Sequence, residues 1–250
     1  LPRRDEPARV SGSIFFLRQD AGIKDMTTPL QPLDYYQIDS IEPVTATVIW
    51  LHGLGASAHD FDSIIPYLHA KPSFRKVRFI FPQAPMRSVT LNQGYVMPAW
   101  YDIYQFDKHG PQDQEGIEQS FKGLVKIIQT QIDSGISANK IFLMGYSQGG
   151  AMALYASLMF ADTFAGVIGL STYLPLLNIV QKQAVNIHNV YWMAHGTRDT
   201  VVPLMYGEES AIALRALGCA VDLHTFPIAH EISMPEIVAM SDWIVERLNK

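Results

Sequence analysis

Three residues of this chain carry the side chains that let a serine attack a carbonyl carbon: Ser147, Asp199 and His230. Ser147 lies within "FLMGYSQGGAMA", as the centre of Gly145-Tyr146-Ser147-Gln148-Gly149. A serine hydroxyl is a weak nucleophile at neutral pH. It needs a base to take its proton and a third group to fix the tautomer of that base and balance its charge. A G-x-S-x-G sequence between a buried strand and an apolar helix marks a sharp turn that exposes such a serine, with glycines where a Cβ would collide with neighbouring backbone. The pentapeptide alone is moderately specific, since a serine in a tight turn reads the same way; its strand-to-helix setting is the stronger signal. Where a serine sits on such a turn, the acid and then the histidine follow along the chain. Asp199 in "MAHGTRDTVVP" and His230 in "FPIAHEISMPEI" meet that order, each in a loop after an apolar run. A lone Asp in a loop usually only caps a turn, but the strand immediately upstream and Pro203 downstream favour the catalytic reading of Asp199. His195 competes with His230 as the base, but it precedes the acid and is expected to bond within its own loop. His59, His69, His109, His188 and His224 read as structural.

The oxyanion of a tetrahedral intermediate requires N–H donors already aimed at it. The backbone of Gln148 supplies one, and Leu54 in "VIWLHGLGAS", directly after an earlier strand, is expected to supply the other. Substrate contact is expected from Leu91, Met97, Trp100 and Tyr101 in a long irregular segment, and from Tyr173, Leu174 and Leu176 in "STYLPLL". An apolar loop of this kind serves equally well as core.

These residues need a scaffold, and the pattern supplies one. Apolar β-rich runs at 45–51, 77–81, 140–146, 164–170, 189–194 and 220–226 alternate with helical patterns at 61–68, 204–217 and 234–248. Ile117, Phe121, Leu124, Val125, Ile128 and Ile132 recur at helical spacing up to Ser134-Gly135. Ser233 with Glu236 three residues on predicts a capping box for the last helix. Continuous apolar runs imply strands buried on both faces, hence a mostly parallel sheet with helices on either side. Residues 82–112 read as irregular. There is no internal repeat or Gly/Ser linker after residue 26, so 26–250 is expected to be one domain. Residues 1–25 carry mixed charges around the short patch Ile14 to Leu17 and are expected to be a leader or appended segment outside the fold.

Composition limits the partners. With 250 residues, 48% of them hydrophobic, a formal net charge of −5 and no basic run, the chain has no nucleic-acid footprint and no electrostatic attraction to an anionic membrane. No apolar stretch reaches the length of an integral membrane span. The single cysteine, Cys219, fits a reducing compartment, and a cytoplasmic location is expected. No cluster of His, Cys or carboxylates has metal-ligand spacing, so neither metal nor cofactor is expected. A small-molecule ester or acylated substrate fits best, and a homodimer is compatible with this reading.

The motifs "LHGLGAS", "FPQAPMRSVTLNQGYVMPAWYDI", "GYSQGGAMALY", "HGTRDTVVPLMYG" and "AHEISMPEI", in this order, resemble the carboxylesterase/lysophospholipase family that includes acyl-protein thioesterases. The resemblance spans about residues 43–248. It implies an α/β-hydrolase fold without a large lid, cleaving carboxylic esters, thioesters or lysophospholipids. It also implies Ser147, Asp199 and His230 as triad, with the N–H groups of Leu54 and Gln148 as oxyanion hole. Two positions depart from the family pattern: Ala229 where glycine commonly precedes the histidine, and Gln83 where the family has histidine. A peptidase or lactone hydrolase would use the same constellation, whereas a retired hydrolase serving as a binding protein usually lacks a triad member.

Overall fold

The computed structural model describes residues 33–105 and 107–249. The expected leader, residues 1–25, lies outside them. The central element is a seven-stranded sheet. In chain order its strands are β1 (Tyr35–Ile38), β2 (Ala46–Leu51), β3 (Val77–Pro82), β6 (Ile141–Tyr146), β7 (Gly166–Leu170), β8 (Val190–Gly196) and β9 (Ala220–Phe226). In space they lie in the order β1-β3-β2-β6-β7-β8-β9. All neighbours are parallel except β1, which runs antiparallel along β3 with Tyr35 opposite Pro82. A two-stranded antiparallel hairpin, β4 (Met86–Val89) with β5 (Tyr95–Pro98), stands apart from the main sheet.

Side chains alternate between the two faces of the sheet, as the two-residue period of a strand requires. Ile49 and Leu51 of β2, Ile141 and Leu143 of β6, and Tyr191 and Met193 of β8 enter one core. Helices α2 (Gln114–Asp133), α3 (Gln148–Met159) and α5 (Leu204–Ala216) cover that face, and Val180 of the short helix Leu177–Gln183 joins the same core. Val48, Trp50, Phe142, Met144 and Trp192 enter the opposite core, under α1 (Ile65–His69) and α6 (Met234–Leu248). In α2 the stripe Ile117, Leu124 and Ile128 is fully buried. The helix starts where the Asp113 side chain accepts the Gly116 N–H and stops before Gly135 at φ 96°. Leu124→Ala would cost about 2–5 kcal/mol, the range for a leucine removed from a packed core. Helix α3 is apolar all round, and every residue from Gln148 to Leu158 is buried.

The irregular segment expected at 82–112 contains the β4–β5 hairpin, closed through Gln93 and Gly94 at φ 57° and 78°. The helical stretch expected at 61–68 is α-helical only from Ile65, in a helix that ends one residue later at His69; Phe61 instead stacks on Trp50 at 4.1 Å. The strand expected from Phe164 begins at Gly166. Strand β1 and helix α4 (Leu177–Gln183) were not expected. The carboxyl ends of β2, β6, β8 and β9 lie along one edge of the sheet, where the loops bearing residues 52–55, 147, 199 and 230 converge.

Candidate active site

Ser147 occupies the turn between β6 and α3 at φ 53°, ψ −120°. A non-glycine residue there costs on the order of 1–3 kcal/mol and persists only when its surroundings enforce it. They do so on both sides. A Cβ on Gly145 would stand 2.3 Å from the Gly149 backbone, and one on Gly149 would stand 2.4 Å from the carbonyl oxygens of Leu51 and His52. The Ser147 N–H donates to the Leu170 carbonyl at the end of β7, and its own carbonyl accepts from Thr172 Oγ1.

His230 Nε2 stands 2.9 Å from Ser147 Oγ, and His230 Nδ1 stands 2.7 Å from Asp199 Oδ2. The carboxylate fixes the tautomer: Nδ1–H donates to Asp199, leaving Nε2 to accept the serine proton. Asp199 is itself held, its Oδ1 accepting from the N–H groups of Val201 and Val202 at 2.9 and 2.8 Å. Tyr146 braces the other side of the imidazole. Its hydroxyl donates to the His230 carbonyl at 2.8 Å, and its ring lies 5.0 Å from the histidine ring. Burial raises the Tyr146 phenol well above its ordinary value, which keeps it a donor. Gly196 admits the histidine loop, because a Cβ there would meet the carbonyls of Ile228 and Ala229.

His195 bonds within its own loop, as its position before the acid implies: Nε2 donates to the Val202 carbonyl at 2.7 Å. The Asp199 carboxylate is 3.6 Å from the same nitrogen. Burial lowers the His195 pKa, so the ring stays neutral beside the acid.

The loop after β2 is fixed by His52, which is 1% exposed. Its Nδ1 donates to the Gly53 carbonyl at 2.8 Å, and its Nε2 accepts the Ala84 N–H at 3.1 Å. Burial lowers its pKa, in keeping with a neutral ring. Gln83, one of the two departures from the family pattern, packs its amide nitrogen 3.3 Å from His52 Nε2 and accepts the Ala58 N–H. Leu54 and Gln148 both line the cavity that contains Ser147. Among the described residues neither of their N–H groups is spent on a protein acceptor. Gln148 opens α3, whose N-terminus favours negative charge.

This cavity has a volume of about 430 Å³. Of the residues expected to contact substrate, Leu91, Tyr101 and Tyr173 line it. Met97, Trp100, Leu174 and Leu176 do not. Trp100 is 0% exposed, and its indole N–H donates to the His52 carbonyl at 2.8 Å. Its backbone N–H donates to Gln148 Oε1 at 2.9 Å, so it is a strut between two loops. Met97 Sδ accepts from Asn92 Nδ2 at 3.4 Å. Leu174 and Leu176 face a separate cavity between α4 and α5, where their N–H groups are held by Ser210 and Gln112. Sequence reasoning missed Ile103, Tyr104, Val201, Val202 and Tyr206 of the lining. The two valines were open to inference, since they lie two and three residues after the acid.

A mostly parallel sheet, helices on both faces and a strained serine on the turn after its central strand define an α/β-hydrolase. The chain belongs to the phospholipase/carboxylesterase family, whose pattern it matches over residues 36–247. It is 38% identical over 216 residues to acyl-protein thioesterase 1 of Neurospora crassa, covering 82% of this chain and 88% of the relative. With acyl-protein thioesterase 1 of Yarrowia lipolytica it is 35% identical over 212 residues, 82% of this chain and 93% of the relative. Among solved structures, SOBER1 of Arabidopsis thaliana superposes with a TM-score of 0.78 at 28% identity, covering 82% of this chain and 100% of that one. Acyl-protein thioesterase 2 of Zea mays superposes with a TM-score of 0.75 at 25% identity, covering 86% and 99%. The protein is accordingly a hydrolase of esters or thioesters. No helix among the described residues is long and apolar enough to cross a membrane.

Proposed function

We propose that Ser147, His230 and Asp199 form the catalytic triad and that the N–H groups of Leu54 and Gln148 hold the oxyanion. His230 Nε2 takes the Ser147 proton as Oγ bonds to the carbonyl carbon of the ester or thioester. The carbonyl electrons move onto oxygen, toward the two N–H groups. As the tetrahedral intermediate collapses, His230 returns its proton to the departing alcohol or thiol, leaving an acyl-enzyme on Ser147. Water then attacks with His230 again as base, and the carboxylic acid leaves. Asp199 stabilises the imidazolium without taking its proton. The observation that carries this reading is the continuous hydrogen-bond chain from Ser147 Oγ through both nitrogens of His230 to Asp199.

The cavity beside Ser147 is read as the acyl site, with Leu91, Ile103, Tyr101, Tyr173 and Val201 as its wall. Its volume suits a short-to-medium chain. The similarity to acyl-protein thioesterases supports thioesters as well as oxygen esters. The free, buried Cys219 supports a cytoplasmic setting. The test is kcat/KM on soluble p-nitrophenyl esters and matched thioesters of increasing chain length. Each buried methylene contributes about 0.8 kcal/mol, so kcat/KM should rise roughly fourfold per carbon until the cavity is filled. A flat series, or activity only at an oil interface, would contradict the assignment of the cavity.

A further inference from the structure

One wall of the cavity carries a hydroxyl proton that no protein acceptor takes. The phenol oxygens of Tyr101 and Tyr173 stand 2.9 Å apart, and both residues line the cavity with Ser147. Two hydroxyls sharing one hydrogen bond leave one proton over. Neither phenol bonds to any other described residue. Tyr101 is 2% exposed, so a leftover proton on it would be buried without a partner. Tyr173 is only partly buried. The arrangement that strands no buried donor has Tyr101 donating to Tyr173, and Tyr173 turning its own O–H to the cavity. Burial pushes both phenols above their ordinary pKa, so both keep their protons.

Two neighbouring polar side chains, Asp102 and Gln112, are already committed, and the Tyr206 ring lies beside Tyr173 at 6.5 Å without a hydrogen bond to it. Asp102 accepts from the N–H and hydroxyl of Thr90, and Gln112 bonds the Lys108 carbonyl and the Leu176 N–H. A phenol that accepts one hydrogen bond is also the better donor of the next. An alkyl chain packed against Tyr173 displaces the water that would otherwise take its proton and offers nothing in return. A chain with an oxygen at that depth replaces the water.

We propose that the acyl group favoured by this enzyme carries an acceptor oxygen, in the form of an ether, keto or hydroxyl group, at the depth where it meets the Tyr173 hydroxyl. The proposal rests on the cavity being the acyl site. Its test is a set of p-nitrophenyl esters of one chain length, with successive methylenes of the acyl chain replaced by an ether oxygen. These are assayed against wild type and the double variant Tyr101→Phe/Tyr173→Phe. In wild type, one oxygen position should match or exceed the all-carbon ester in kcat/KM. In the double variant that position should lose about tenfold relative to the all-carbon ester, the usual scale for an unpaired polar group in a site. Tyr173→Phe, which removes the free proton together with the acceptor of the Tyr101 hydroxyl, should give the same shift and serves if the double variant does not fold. Equal ratios in wild type and variants would overturn the proposal. So would an effect seen only when the oxygen lies in the alcohol half. Turnover of the acetyl ester by wild type and its loss in Ser147→Ala report on the hydrolase reading separately.

Discussion

The hydrogen-bonded set Ser147, Asp199 and His230 was legible in the sequence because each lies in the loop after a strand, Ser147 and Asp199 after largely buried apolar ones and His230 after the mixed edge strand β9. Chain order separated His230 from His195, and the geometry gives the two histidines different work. Asp199→Asn leaves the shape of the site but lets His230 take the wrong tautomer, so kcat should fall by roughly 10³–10⁴-fold. His195→Gln keeps an N–H for the Val202 carbonyl and should retain activity within about tenfold of wild type, since His195 touches neither Ser147 nor His230. Steady-state kinetics on one soluble ester checks both, and the reverse ranking would reassign the base. The substrate wall was less legible. Trp100, Met97, Leu174 and Leu176 have suitable side chains, but nothing in an irregular segment tells which way a side chain faces. Trp100 turns inward because the His52 carbonyl, at the end of a buried strand, needs its indole N–H.

At the scale of elements, strands buried on both faces were readable from their unbroken apolar runs, and α2 from its periodic stripe. Strand β1 and the β4–β5 hairpin were not, because edge and outlying strands expose one side and mix polar with apolar residues. The segment Tyr95–Pro98, for example, has two exposed and two half-buried residues. Helix α4 was hidden because it follows Leu176 at φ 51°, a left-handed residue with no glycine to announce it. The loop after β2 is the element on which the oxyanion assignment depends, and His52 fixes it through both ring nitrogens. His52 does not touch the reacting atoms and is a positioning residue. His52→Ala should lower kcat about 10–100-fold through a displaced Leu54 N–H, below the full cost of losing an oxyanion donor. KM should change less than kcat, because apart from Gly53, Leu54 and Ala56 the cavity wall comes from other segments. A rise in KM with kcat preserved would mean that the loop binds substrate and does not stabilise the transition state.

At the scale of the whole molecule, helix α6 closes the fold with a buried acid. Glu236 completes the capping box with Ser233, yet it is fully buried and its Oε1 has no partner among the described residues. Burial pushes its pKa from 4.5 up to about 7. A carboxyl whose folded pKa is raised binds its proton more tightly in the native state. Its stabilising contribution is therefore complete below about pH 4.5 and is lost as pH rises through about 7. Glu236→Gln keeps an acceptor for the Ser233 N–H and removes this loss, so its stability relative to wild type should improve by about 2 kcal/mol between pH 5 and 8. Urea melts at both pH values check this, and a pH-independent difference would show that Glu236 stays ionised in the fold. That four strand ends converge to make Ser147 an acyl-accepting nucleophile is checked by intact-mass spectrometry of rapidly quenched enzyme with a p-nitrophenyl ester, followed by peptide mapping. One acyl group per chain is expected, located on Ser147, absent in Ser147→Ala and accumulating when His230 is replaced only as slowly as its lost activity allows. Full ester turnover by folded Ser147→Ala, or an acyl group on another residue that is kinetically competent, would contradict it.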